Sequence, residues 1–273
     1  MKDLAKDRTA VVRSQFGSAA AAYATSDVHA KGESLARIVV LAEPQPQWRV
    51  LDVATGAGHL AAAFAPHVQS VVASDITSEM LSEAAKLAAS RNLANVTTAT
   101  AEAGALPFPD ASFDLVCCRL AAHHFPDLAR FVSEAHRVLK AGGRVALVDN
   151  VAPDRERLPD ASDAEIANAV AAYNAFEKLR DPSHGFAPPP KVWFDLLENQ
   201  SFTILAQEQF GKELAFTAWV ERMRCAPAVI SELENILTAG SLALRTFLQP
   251  RRDRDGALYF TLQELLIVAI KAD

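Results

Sequence analysis

Trp48-Arg49-Val50-Leu51-Asp52-Val53-Ala54-Thr55-Gly56-Ala57-Gly58-His59-Leu60 sets a carboxylate, Asp52, within an apolar run and follows it with two glycines, Gly56 and Gly58. Glycines let a backbone turn tightly and come close to a ligand, and a helix opening there offers unpaired N–H groups and the positive end of its dipole. A second acid, Asp75, ends the next apolar run, Val71-Val72-Ala73-Ser74. A carboxylate matches two vicinal hydroxyls such as those of a ribose. These residue types in this order are expected to bind a nucleoside-bearing cofactor.

Two cofactors compete for the loop. Gly56-Ala57-Gly58-His59-Leu60-Ala61 also satisfies the dinucleotide fingerprint, which would make the chain an NAD-dependent reductase. Asp52 argues otherwise, because an acid just before the loop repels a pyrophosphate but favours an ammonium group, directly or through water. Farther on comes Ala103-Gly104-Ala105-Leu106-Pro107-Phe108-Pro109-Asp110-Ala111-Ser112-Phe113-Asp114-Leu115-Val116. With that segment, residues 48–150 resemble the class I S-adenosylmethionine-dependent methyltransferases, in particular the small-molecule group similar to the ubiquinone and menaquinone biosynthesis C-methyltransferases.

The resemblance implies S-adenosyl-L-methionine as cofactor and assigns roles. Asp52, Ala54, Thr55, Gly56 and Gly58 would hold the methionine moiety, with Ala54 replacing the commoner first glycine of the loop. Asp75, followed by Ile76 and Met80, would take the ribose. Glu102 and Ala103 would face the adenine, and here the family more often has Asp than Glu. Arg119, at the end of the fourth strand, would complete the cofactor set. In relatives an N-terminal arm closes over the cofactor. Phe16 and Tyr23 fall in such a segment, where the Tyr23 hydroxyl would meet the methionine carboxylate or the two rings would anchor a packing helix.

Methyl transfer needs little acid–base chemistry, so in-line positioning in a dry pocket carries the rate. An acceptor with an acidic O–H or C–H would still use a base. His123 and His124, just past the fourth strand, are the candidate catalytic residues, with helix capping or cofactor contact as the alternative role. His59 opens the helix after the glycine loop, where it would touch the methionine end of the cofactor or stand as a solvated helix-start side chain. Asp149 and Asn150 either bind an acceptor or finish the fifth strand. Glu134 and His136 point to different faces of a helix, and no metal site is expected.

Strands read at 50–54, 70–75, 96–99, 113–119 and 143–150 alternate with Ala-rich helical segments, which implies an α/β fold with a doubly wound parallel sheet. Thr77-Ser78-Glu79-Met80 carries a helix-capping signature. Beyond 150 the pattern predicts a helix over 153–181, a Pro-rich loop to 190, a helix over 191–199, a strand at 202–209, helical tendency over 217–249, a polar turn at 251–256 and a strand near 265–270. By resemblance this is a Rossmann-like sheet of seven strands: five parallel strands and a C-terminal antiparallel hairpin, with helical segments covering the substrate. The expected organisation is an N-terminal helical arm at 1–45, a cofactor-binding core at 46–151, and a cover at 152–273 carrying an insertion at 215–255, all as one domain.

The chain has 273 residues, 50% of them hydrophobic, and a formal net charge of -6. That charge disfavours a nucleic-acid partner, which calls for clustered Lys and Arg. Arg119-Leu120-Ala121-Ala122 also stands where nucleic-acid methyltransferases place Asn-Pro-Pro-aromatic. No apolar stretch reaches bilayer-spanning length and the N-terminal residues lack the apolar core of a signal peptide, so a soluble cytoplasmic protein without a membrane partner is expected. Cys117 and Cys118 lie in an apolar strand and read as small core residues, not as a metal pair or a nucleophile. The expected partner is a small-molecule acceptor, either a quinone precursor or another partly apolar metabolite. A homodimer is compatible with the sequence, which does not decide oligomeric state. A divergent family member with other one-carbon chemistry is the alternative function.

Overall fold

A computed structural model describes residues 11–13, 15 and 32–272. The chain divides into two compact units. The first comprises Met1–Asp149, Phe194–Glu208 and Leu266–Asp273, and the second Asn150–Trp193 and Gln209–Leu265.

In the first unit, α1 (Glu33–Ala42) precedes β1 (Arg49–Val53), α2 (His59–Phe64), β2 (Ser70–Asp75), α3 (Ser78–Ser90), β3 (Val96–Thr100), β4 (Phe113–Arg119), α4 (Leu128–Val138) and β5 (Leu139–Asn150). Val50, Leu51, Asp52 and Val53 are all buried, the continuous pattern of a strand covered on both faces. α3 buries Met80, Leu81, Ala84 and Ala88, a helical stripe, and keeps its charges outside. β1 pairs in parallel with β2 on one side and β4 on the other, placing Asp52 beside Ala73 and Cys117. β3 extends the sheet beyond β2 and β5 beyond β4, also in parallel. The chain therefore reverses its direction of travel across the sheet between β1 and β4, and a crevice opens there at the carboxyl ends of the strands.

The second unit holds α5 (Asp163–Arg180), the start of α6 (Pro190–Asn199), α7 (Phe216–Arg222), α8 (Pro227–Ala239), α9 (Leu242–Leu248) and β7 (Arg251–Arg252). Its core is aromatic: Phe176 stacks on Trp219 at 5.0 Å between centroids, and Phe260 meets both rings edge-on. Two long strands, β6 (Phe202–Ala215) and β8 (Leu258–Lys271), contribute residues to both units. The sheet order is β3-β2-β1-β4-β5-β8-β6, with β7 on β8.

The fold is the expected α/β one, with differences of local origin. The sheet has eight strands instead of seven, because Arg251 and Arg252 pair antiparallel with Tyr259 and Leu258. The polar turn makes that pairing: Asp253 Oδ1 accepts from the N–H groups of Asp255 and Ala257, and Gly256 supplies φ +85°. Residues 153–162 are not helical. Pro153 and Pro159 interrupt them, and the helix waits for the capping box of Ser162 and Glu165. Thr77 is the N-cap of α3 but makes no side-chain capping bond. Its backbone N–H is taken instead by Asp75, so the signature at 77–80 marks the helix start without capping it.

Candidate functional site

The loop between β1 and α2 bends sharply because Ala54 (φ +54°), Gly56 (φ +54°) and Gly58 (φ +85°) all adopt left-handed backbone conformations. The two glycines do different work. A Cβ on Gly56 would meet nothing within 4 Å, so that position borders open space, whereas a Cβ on Gly58 would lie 2.8 Å from Ala84 Cβ and 2.9 Å from its Cα. Gly58 therefore permits α2 and α3 to approach closely, and Gly56 leaves the cleft clear.

Two buried acids brace this loop. Asp52 Oδ2 accepts from Thr55 Oγ1 at 2.5 Å and from the Ala61 N–H in the first turn of α2 at 3.0 Å, while Cys117 Sγ donates to Oδ1 at 3.8 Å. Burial pushes the Asp52 carboxyl up to about 7, against the hydrogen bonds of Thr55 and Ala61, which favour its charged form. Asp75 accepts from the N–H of Gly56 at 3.0 Å and of Thr77 at 2.9 Å, and burial raises its pKa as well. Each carboxylate oxygen has two lone pairs, so Asp75 retains acceptor capacity toward a ligand.

The crevice encloses about 1120 Å³ of empty space, its mouth included. Asp52, Ala54, Thr55 and Gly56 form its floor. One wall is Asp75, Ile76, Thr77 and Met80, continuing through Glu102, Ala103 and Gly104. The opposite wall is Arg119, Leu120, Ala121, His124, Phe125 and Pro126. Val12 also lines the space, and Arg13 Nε donates to the Ile76 carbonyl at 3.2 Å. Among the described lining residues, Asp52, Asp75 and Glu102 face a single guanidinium, Arg119, which is held by Ser34 Oγ at 3.1 Å. That donor set suits a cationic ligand with hydroxyl and amino groups and opposes a pyrophosphate.

Past β4, Leu120 (φ +55°) turns the chain into a short 3₁₀ segment, Ala122–His124. His123 is buried, its Nδ1 2.5 Å from Asp149 Oδ1 and its backbone N–H donating to Asp149 Oδ2 at 2.7 Å. His124 lines the crevice, and its ring centroid lies 4.2 Å from that of His123. Of the sequence candidates for the cofactor, Asp52, Ala54, Thr55, Gly56, Asp75, Ile76, Met80, Glu102, Ala103 and Arg119 all border the crevice. Gly58 stands behind it, and Tyr23 and Phe16 lie outside the described residues. His59 is buried and borders the crevice, which rules out the solvated one of its two expected roles. Asp149 is engaged with His123 instead of simply facing the cleft. Cys117 and Cys118 are buried, and burial pushes both thiols up, which leaves no thiolate nucleophile there. Sequence reasoning missed Thr77, Leu120, Phe125 and Pro126, whose only signal is adjacency to Asp75 and to the histidine pair. Among the described residues no cluster of His, Cys, Asp or Glu could hold a metal ion, and no helix is long and apolar enough to cross a membrane.

A crevice at the reversal point of a doubly wound sheet, with a glycine loop and two strand-end acids, defines a nucleoside-cofactor enzyme of the α/β class. The pattern of the methyltransferase domain family matches residues 51–147. The uncharacterized methyltransferase YcgJ of Bacillus subtilis is 33% identical over 261 residues, spanning 94% of this chain and 97% of that protein. A solved structure from Bacillus halodurans, provisionally assigned as a methyltransferase, is 36% identical, covers 89% of this chain and 100% of its own, and superposes with a TM-score of 0.80. A ubiquinone/menaquinone biosynthesis C-methyltransferase from a Geobacter species is 32% identical over 147 residues, 49% of this chain and 61% of that protein. The chain belongs to the class I S-adenosylmethionine-dependent methyltransferases.

Proposed function

We propose that the chain transfers the methyl group of S-adenosylmethionine to a carbon or oxygen of a small, partly apolar metabolite. The observation that carries this reading is the composition of the crevice, whose acid-rich side suits the cofactor and whose other wall joins Leu120, Ala121, Phe125 and Pro126 to a single imidazole, His124. When bound, the cofactor supplies a methyl group already activated by its sulfonium charge. The chain's own residues then bind, orient and exclude water. Asp75 accepts from the ribose hydroxyls, Glu102 from the adenine amino group, and Asp52 favours the positive charge near the floor while bracing the loop. The apolar wall excludes water and holds the acceptor in line, which is where most of the rate arises.

An acidic O–H or C–H on the acceptor must lose its proton as the new bond forms. The histidine pair supports base catalysis, since Asp149 on Nδ1 orients the His123 ring, while His124 stands at the acceptor wall. The kinship with quinone-biosynthesis C-methyltransferases supports a cyclic, apolar acceptor with an acidic position. The net charge of -6 supports an acceptor that is not a nucleic acid.

The test is a thermal-shift measurement followed by methyl transfer. S-adenosylhomocysteine should raise Tm and NADH should not, and label from methyl-labelled cofactor should appear in an apolar small-molecule fraction. Label found only in RNA or protein would overturn the small-acceptor reading.

A further inference from the structure

The stretch from Gly104 to Asp110 follows directly on the wall formed by Glu102 and Ala103, and apart from one isolated bridge between Glu102 and Ala105 it has no ladder partner. Three side chains spaced i, i+4 and i+7 along one stripe of α4 grip its backbone. Arg130 Nε donates to the Gly104 carbonyl at 2.6 Å, and its aliphatic stem packs within 3.4 Å of where a Gly104 Cβ would stand. Glu134 Oε2 accepts from the Leu106 N–H at 2.7 Å. Arg137 donates to the Leu106 carbonyl at 2.9 Å and the Phe108 carbonyl at 2.8 Å, and pairs with Glu134 at 2.8 Å and Asp110 at 2.7 Å. The Arg137 guanidinium beside Glu134 holds that carboxyl below its ordinary range, so it stays a charged acceptor. α4 is itself fixed at its start by the Asp127 side chain, which accepts from the Arg130 N–H at 3.0 Å.

We propose that Arg130, Glu134 and Arg137 are positioning residues that set the adenine-facing wall of the crevice, so that cofactor affinity depends on a helix stripe whose side chains do not border the ligand space. The geometry explains how the wall is supported: in a stretch without a strand ladder, these side-chain bonds to the backbone act together with the burial of Leu106 and the Phe108–Phe113 contact to fix its position. This inference rests on the reading that Glu102 and Ala103 face the adenine.

The test compares two probes on the full chain by titration calorimetry: S-adenosylhomocysteine, and S-ribosylhomocysteine, which lacks the adenine. Their affinity ratio reports the adenine wall alone, whereas a general loss of structure weakens both probes together. Arg130→Met and Arg137→Lys should each weaken S-adenosylhomocysteine about 3- to 10-fold, the effect of one misplaced hydrogen bond, and leave S-ribosylhomocysteine unchanged. Arg130→Lys, which can still reach the Gly104 carbonyl, should restore most of the loss. Glu102→Ala, which removes the acceptor, separates the two levels of the argument. If it lowers the ratio and the arginine variants do not, the positioning role is wrong. If it leaves the ratio unaltered, the adenine reading itself is wrong.

Discussion

Substituting alanine at each of the two loop glycines separates packing from binding. At Gly58 the new Cβ would sit 2.8 Å from Ala84 Cβ and 2.9 Å from Ala84 Cα, and the second contact is with backbone that cannot rotate away. Overpacking of this kind costs about 1–3 kcal/mol. The left-handed backbone at φ +85° adds about 1–2 kcal/mol for any residue with a Cβ. Gly58→Ala should therefore lose about 2–5 kcal/mol, a large share of the roughly 5–15 kcal/mol that holds a domain together. Gly56→Ala carries only the backbone cost, about 1–2 kcal/mol, because its Cβ meets nothing. Its methyl group instead borders the crevice, so S-adenosylhomocysteine binding should suffer while folding stability falls less than at Gly58. Urea denaturation followed by circular dichroism gives the first quantity and titration calorimetry the second. A loss under 1 kcal/mol for Gly58→Ala, or a larger loss at Gly56 than at Gly58, would refute the assignment of α3 contact to one glycine and ligand clearance to the other.

Asp75→Ala should weaken S-adenosylhomocysteine by about 1–3 kcal/mol through unpaired ribose hydroxyls, and calorimetry showing unaltered affinity would remove Asp75 from the sugar site. Asp52 gives a pH signature. Its folded pKa, about 7, lies above its ordinary 3.8, so the folded state keeps a proton that the unfolded chain has lost. The stability it contributes is complete below pH 4 and is lost as pH rises toward 7, at up to about 1.4 kcal/mol per pH unit. Asp52→Asn should flatten that slope in denaturation midpoints between pH 4 and 7, and an identical slope in both proteins would count against the raised pKa of this buried acid. His124→Ala and Asp149→Asn should each slow labelled methyl transfer about 10²-fold or more at saturating cofactor if the acceptor must lose a proton. Intact turnover in both leaves positioning as the whole of catalysis.

The first unit was legible because its signals are local. A run of buried Val50, Leu51 and Val53 before glycines, an acid at the end of β2, and Ala-rich helices each announce themselves over a few residues. What stayed hidden depends on partners far along the chain. Gly58 and Ala84 are neighbours only after α3 folds back, and His123 meets Asp149 because β4 and β5 pair in register, Arg119 beside Val148. The sequence leaves His59 between a solvated and a cofactor-facing role, and its burial is visible only in the fold. In the second unit the short pairing of Arg251 with Tyr259 and the delayed start of α5 at Asp163 turn on single capping and turn residues, which composition averages away.

The raised pKa of Asp52 has a consequence for turnover. A ligand bearing a net positive charge favours the carboxylate form, so loading the crevice near neutrality should expel a proton into solvent, seen as a calorimetric heat that varies with the buffer's ionisation enthalpy. The demethylated product has lost the sulfonium charge and draws less on that acid, so fewer protons should leave when it binds. The floor of the crevice would thus tell a charged donor from its spent form by electrostatics alone, and it would do so less well in acidic surroundings.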